Sequence, residues 1–459
     1  MMRGRGSRLR AAKKSCRSLT RDVLGIPMFA WIAILLHAFE GFVGYPVDMD
    51  SMPFFHEKLS MSTLQAGKFF GLQGVFALGL AVPAGLMIDK LGLKTALLIG
   101  WISAFVARII LALCSTIIVI EATFLLGIGL GGGLLALSLH IVNDRMYPGP
   151  SKNMAFALLY WSNNFGDWIA SLLNPLMIDF GGFNQFQFMF LCTAAVAFIA
   201  LAITLICLWE PPPIIDMELE GVDLNQPSRP WWHLLWDICF WRAFVMALVF
   251  VWVRTMFKHL NSIVPIYMQN LYGPSVNYSF AIGLNPLGIM ILIPVVGVVF
   301  RKIQNPMPLI MTGTLISALS PLPMLIWRPA DREWPVWLFI SLFTVGEALY
   351  SPRVSQLAVS IPPPGNKGLY SALIAFPAVL GTFFSGIQAG YLLDTFCPVA
   401  VTTNYDYWAF YSCANLWIFV MAVAMITFVA LIFTWSFLWT GVSKPRELLV
   451  SSEIEMQEQ

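Results

Sequence analysis

Charged side chains are scarce in this sequence. They make up 11% of the 459 residues, against 58% hydrophobic ones, whereas soluble domains carry about 25% charged residues. So little charge cannot cover a folded surface in water, and the mean hydropathy of +0.74 agrees. The composition excludes a soluble globular protein and requires an integral membrane one. Net charge is only +2, which gives no general case for nucleic acid as a partner. Histidine is rare as well, five in all. There is no His-rich metal cluster and no Ser-His-Asp constellation within reach of one face, so an enzyme finds no support. No G-x-x-x-x-G-K-S/T loop occurs, which argues against an ATP-driven pump. No cofactor or metal is expected beyond protons as a coupling ion. The seven cysteines, Cys16, Cys114, Cys192, Cys207, Cys239, Cys397 and Cys413, are scattered without metal-ligand spacing. Cys397 and Cys413 could meet at the outer face, but the expectation is that they stay unpaired.

What is present is a series of long apolar runs. A spanning helix needs about 20 apolar residues, more when tilted. Twelve such runs lie near 26–48, 62–88, 93–114, 117–143, 153–179, 185–209, 237–270, 278–301, 306–327, 334–361, 367–394 and 406–440. The longest polar interruption, 210–235, divides them six and six, the layout of a two-halved transporter. The expected organisation is a basic tail over 1–25, an N-terminal six-helix half over 26–209, a linker over 210–235, a C-terminal half over 236–440 and a second tail over 441–459. The first 25 residues hold eight Lys or Arg and one acid. That reads as a cytoplasmic tail that fixes orientation, with an organelle-targeting segment or a lipid tether as the other readings. With the N-terminus in the cytoplasm, the inner loops carry Lys90, Lys94, Arg145, Lys152, Arg301, Lys302, Lys367, Lys444 and Arg446. The outer loops carry little beyond Lys58, Arg328 and Arg332. Both termini are therefore expected in the cytoplasm, with the protein in a plasma or organelle membrane. Asn277-Tyr278-Ser279 then forms a glycosylation sequon at the outer end of the eighth span.

The two halves echo one another. Gly85–Lys94, GLMIDKLGLK, joins spans two and three, and Gly297–Pro306, GVVFRKIQNP, joins spans eight and nine. Both are short and basic and begin with Gly, as in a degraded internal repeat. In the first, Gly permits close helix approach, Asp89 can sit at a helix end, and Lys90 and Lys94 face the cytosol. The stretch Gly85-x-x-x-Asp89-Lys90-x-Gly92-x-Lys94 resembles the loop signature of the major facilitator superfamily. That resemblance implies an all-α membrane protein of 12 transmembrane helices in two six-helix halves.

A narrower resemblance rests on two further places. Phe156-x-x-Leu159-Tyr160-Trp161-x-Asn163-Asn164-Phe165-Gly166 is similar to the fifth-helix signature of proton-coupled oligopeptide transporters. Gly346-Glu347-Ala348-Leu349-x-Ser351-Pro352, followed by IPPPGNKGLYSALIAFP, resembles the tenth and eleventh helices of that family. In the first span the family carries two Glu spaced by two residues, then Arg, Phe and an aromatic pair, groups that serve proton coupling. Here the stretch reads His37-Ala38-Phe39-Glu40-Gly41-Phe42-Val43-Gly44-Tyr45. Glu40, Phe42 and Tyr45 fit, His37 replaces the first Glu, and Gly41 replaces the Arg. The family's fourth-helix Lys falls on Leu134. The resemblance implies a divergent branch.

Charges inside apolar runs cost free energy, so they should face protein or a water-filled cavity. The candidates are Glu40, Arg108, Asp167, Arg254, Lys258, His259, Glu347 and Arg353. The implied fold gathers spans one, four, seven and ten around a central cavity, where Glu40, Arg254 and Glu347 could meet. The family's pairing of a helix-1 Arg with a helix-7 acid then looks exchanged, with Glu40 facing Arg254. Glu347 would hold a substrate amine and Arg254 a carboxylate, with Tyr45, Tyr160 and Asn164 lining the site. Trp161, Trp252 and Tyr350 are further lining candidates, although interfacial packing explains Trp and Tyr as well. Glu40, His37 and Glu347 are the candidates for proton coupling. Asp89, Lys90, Lys94, Arg353, Arg108, Asp167 and Lys258 are read as gating or structural. The expected function is secondary active transport of a small zwitterionic solute, an amino acid or short peptide, by alternating access and coupled to protons. The alternatives are a carrier of another small solute (sugar, nucleoside or drug) and a non-transporting sensor or accessory protein. The solute and the lipid bilayer are the expected partners, and an accessory membrane subunit stays open.

Overall fold

A computed structural model describes residues 26, 28–145, 152–178, 186–208, 236–300, 303, 305–327, 333–360, 367–398 and 407–457. These residues form twelve consecutive helical stretches. They are α1 (Met28–Pro53, extended by a π turn over Phe54–Lys58), α2 (Thr63–Leu91), α3 (Leu93–Leu113), and α4, built from Ile117–Ala122, a π turn over Thr123–Ile128, and Gly129–Arg145. Then come α5 (Lys152–Ile178), α6 (Gln187–Cys207), α7 (Ile238–Ser262, continued by Val264–Tyr272), α8 (Tyr278–Val299), and α9 (Met307–Leu319 with Leu322–Ile326). The last three are α10 (Trp334–Ser360), α11 (Lys367–Phe396) and α12 (Tyr407–Gln457). All-helical architecture follows from the solvent, because in hydrocarbon each backbone N–H and C=O must be satisfied within its own segment. The internal prolines of α1, α2, α5, α8, α10 and α11 each leave a backbone carbonyl without its helical donor, and a packed bundle tolerates this because neighbouring helices, Ser/Thr side chains or ordered water re-satisfy the group.

Among the described residues, nine helices are long and apolar enough to cross a membrane. The remaining three, α2, α5 and α10, have 29, 27 and 27 residues, long enough to span. Large apolar side chains stand exposed on several of these helices, Ile118 at 76% and Phe433 at 79%, as lipid-facing surfaces require. Two helices run on past the apolar runs they contain: α1 continues beyond 48 to Pro53, and α12 continues beyond 440 to Gln457.

By internal contacts the chain forms two compact units. One comprises Met1–Tyr45, Leu80–Ala170 and Met177–Gly221, and the other Pro46–Gly79, Ser171–Leu176 and Val222–Gln459. The first has a core of Leu36 and Val43 from α1, Trp101 and Ala104 from α3, Leu134 and Leu139 from α4, and Ala197 and Ala200 from α6. The second packs Met246, Phe250 and Val253 of α7 against Ile310 of α9, Tyr350 of α10 and Leu431 of α12. The turn between α2 and α3 depends on Gly92, whose φ of 84° lies in the left-handed region. Its N–H donates to the Ile88 carbonyl at 3.1 Å, closing the end of α2.

Cys397 and Cys413 are joined by a disulfide, which corrects the expectation that they stay unpaired. The ends of α11 and α12 bring their Cα atoms to 4.4 Å, within bonding range. Asn270 Nδ2 donates to the Cys397 carbonyl at 2.8 Å, tying the end of α7 to the same place.

Candidate functional site

Within the first unit, the charged groups collect where α1 meets α5. His37 Nδ1 lies 2.6 Å from Glu40 Oε2, one helical turn apart. Asn163 of α5 donates from Nδ2 to the same Glu40 oxygen at 3.3 Å. The close contact has a steric cause. A Cβ on Gly41 would lie 2.5 Å from the Asn163 carbonyl and 2.7 Å from Asp167 Oδ1, and one on Gly166 would strike the Ala38 carbonyl. Only glycine fits at these two positions, and the side chain that Gly41 lacks is replaced by the body of α5. Arg108 of α3 is buried and donates to the Val43 carbonyl at 2.7 Å and to the Ala104 carbonyl at 3.0 Å. It braces α1 through its backbone.

Within the second unit, Glu347 is 2% exposed. It accepts a hydrogen bond from Asn285 Nδ2 of α8 at 2.8 Å, and Asn285 also donates to Thr344 Oγ1 at 3.1 Å. Arg254 of α7 is close enough to act on the Glu347 carboxyl electrostatically. One helical turn further along α7, Lys258 Nζ meets Asp48 Oδ2 at 2.8 Å. His259 is buried between Gln388 Oε1 at 3.1 Å and Ser262 Oγ at 3.2 Å. Beyond Asp48, the buried Asp50 accepts from Tyr278 Oη of α8 and Asn174 Nδ2 of α5, both at 2.8 Å.

A family model, Major Facilitator Superfamily, matches residues 51–386. The chain belongs to the major facilitator superfamily. It is 22% identical over 350 residues to the multidrug resistance protein MdtH of Photorhabdus laumondii subsp. laumondii, covering 74% of this chain and 80% of that one. Among solved structures, a POT family transporter in complex with 5-aminolevulinic acid matches with a TM-score of 0.71 at 14% identity, over 90% of this chain and 97% of the other. A POT family transporter with a thioalcohol-conjugated peptide gives 0.72 at 15%, with the same coverage. An inward-facing, occupied bacterial homologue of the human lysosomal transporter Spinster gives 0.65 at 13%, over 88% and 97%. At these identities the likeness establishes the fold. This is a multi-pass membrane transporter fold of twelve helices, the architecture that the loop and helix signatures implied.

In this facilitator the sequence-derived residues separate into groups. Glu40, His37 and Asn163 come together, with Asp167 beside Gly41, and so do Glu347, Asn285 and Arg254. Glu40 and Arg254, expected as an exchanged pair, belong to different compact units. An ion pair between α1 and α7 is formed by Asp48 and Lys258. Asn164 donates to the Tyr160 carbonyl of its own helix at 2.8 Å, so the α5 amide facing Glu40 is Asn163. Tyr160 is exposed and Tyr45 half-buried, while Tyr350 is a core side chain stacked on Phe250. Trp161 stacks on Phe165, and Trp252 tilts against Phe384. Lys94 donates to the Leu205 carbonyl at 3.0 Å, Lys90 is exposed, and Arg353 reaches the Phe300 carbonyl at 3.5 Å. The side chain of Asp89 lies outside the described residues. Asn285, Asp48 and Asp50 escaped the sequence reading. Asp48 and Asp50, two residues apart just past an apolar run, look like the polar end of a span.

Proposed function

We propose that this facilitator is a secondary active transporter of a small zwitterionic solute, an amino acid or short peptide, working by alternating access and driven by protons. One observation carries the reading. A buried acid, Glu347, and a base, Arg254, stand within electrostatic reach of each other in a chain poor in charge. An arriving substrate carboxylate competes with Glu347 for Arg254, and the amine then finds the released carboxylate. Buried charges kept as a pair cost less than either alone, so exchanging partners is cheaper than exposing one. Glu40, 2.6 Å from His37, is the second candidate for proton coupling. A carrier of drug-like solutes is the second reading, favoured by the likeness to MdtH.

The orientation proposed from positive charge, with both termini cytoplasmic, gains support from the disulfide. Such bonds persist in oxidising compartments, so the α11–α12 connection belongs outside or in a lumen. Lys367, at the opposite end of α11, then falls on the cytoplasmic side.

The test is uptake of radiolabelled dialanine into proteoliposomes of the purified chain, at zero membrane potential, under an inward proton gradient with and without a protonophore. Gradient-driven accumulation that the protonophore abolishes is the expected result. Equal entry under both conditions leaves facilitated diffusion. Exclusion of amino acids, peptides, sugars, nucleosides and drug-like cations alike, with dose-dependent thermal stabilisation by one of them, identifies a sensor.

A further inference from the structure

Asp50 is 1% exposed, and the groups around it are equally enclosed: Asn174 at 0%, Ser279 at 3% and Tyr278 at 6%. Three helices converge here within one compact unit: α1 brings the carboxyl, α5 the amide and α8 the two hydroxyls. Tyr278 Oη donates to Asp50 Oδ1, Asn174 Nδ2 donates to Asp50 Oδ2, and the same Nδ2 meets Ser279 Oγ at 2.9 Å. Among the described residues, no hydrogen bond or ion pair joins Asp50 to a Lys, Arg or His. The neighbouring cation Lys258 is taken by Asp48. The other titratable groups acting on Asp50 are Tyr278 and Glu57, and Glu57 is itself bonded to Gln269 at 3.1 Å.

A carboxylate buried without a cation is costly unless it is neutralised or fully hydrogen-bonded. This cluster is arranged for both states. The Asn174 Oδ1 atom is buried and has no hydrogen-bond partner among the described residues. The two ends of an amide are nearly isosteric, and turning it exchanges a donor for an acceptor. With Nδ2 toward Asp50, the amide serves an ionised carboxylate. Turned over, Oδ1 accepts the proton of a neutral carboxyl, and the Ser279 hydroxyl, donor as well as acceptor, follows by rotating.

We propose that Asp50 is a proton-binding site of this transporter, its carboxyl taking a proton from water and returning it to water while Asn174 turns its amide to match. The proposal rests on the proton-driven reading above and names a group that the reading does not use. Infrared difference spectroscopy on the purified full chain, between acidic and alkaline buffer, reads the carboxyl stretching band directly and needs no substrate. In wild type the band should appear and vanish with pH, and Asp50→Asn should remove that component. Tyr278→Phe removes a donor that binds the ionised carboxylate more strongly than the neutral carboxyl, so the band should persist with its midpoint moved to higher pH. The same pH-dependent band in Asp50→Asn, or an unmoved midpoint in Tyr278→Phe, overturns the proposal. In the dialanine assay, Asp50→Asn should lose gradient stimulation, and full stimulation in that variant also overturns it. Wild type without gradient stimulation, but with a band that Asp50→Asn removes, overturns the proton-driven reading and leaves the proton site standing.

Discussion

Glu347 and Asn285 hold each other beside Thr344 and within electrostatic reach of Arg254. Glu347→Gln keeps the volume and accepts the Asn285 bond, so expression and thermal stability should stay near wild type while gradient-driven uptake disappears. Wild-type uptake in that variant would reduce the carboxylate to a structural group. Lys258 and Asp48 are a different case, since the Asp48 side chain is 45% exposed. Solvent screens such a pair, and exposed pairs typically contribute about 0.2–1 kcal/mol. A double-mutant cycle of Lys258→Met with Asp48→Asn, read by thermal denaturation, should return a coupling in that range.

The α1–α5 contact shows how an element absorbs a change in motif. Gly41 stands where the first-helix motif that the sequence resembles has Arg, and the backbone of α5 occupies the space that a side chain would need. Gly41→Ala should therefore force the helices apart at a cost of about 1–3 kcal/mol, the usual range for overpacking. A melting temperature unchanged from wild type would contradict that packing. The same element shows where the sequence was legible. Glu40 and Glu347 were visible because each carries charge inside an apolar run. The end of α1 was not, because Asp48 and Asp50 look like the first residues of a loop. They remain helical because Lys258, Tyr278 and Asn174, between 124 and 228 residues away in sequence, supply their partners. Asn285 was hidden for a similar reason. One amide in an apolar helix carries no sign of what it faces until α8 is laid against α10.

At the scale of the whole molecule, span count and order were readable from the length of the apolar runs and the polar breaks between them, because the bilayer sets helix length. The Cys397–Cys413 bond was not, since it depends on where α11 and α12 stop. The proposed orientation gives a direct check. In sealed vesicles of known sidedness, a cysteine introduced at the exposed Thr395, next to the disulfide at the end of α11, should be labelled by a membrane-impermeant thiol reagent from the non-cytoplasmic face. Labelling from the cytoplasmic face would reverse the orientation.

The disulfide also changes what a protease can separate. A single cut in the chain between Cys397 and Cys413 breaks the backbone but leaves the two pieces covalently joined. Cleaved protein should migrate as an intact chain on a denaturing gel without reductant. Adding reductant should release a fragment containing all of α12. Any cut outside that ring should release its fragment in both lanes. A two-lane gel thus maps a nick to the α11–α12 connection without mass spectrometry.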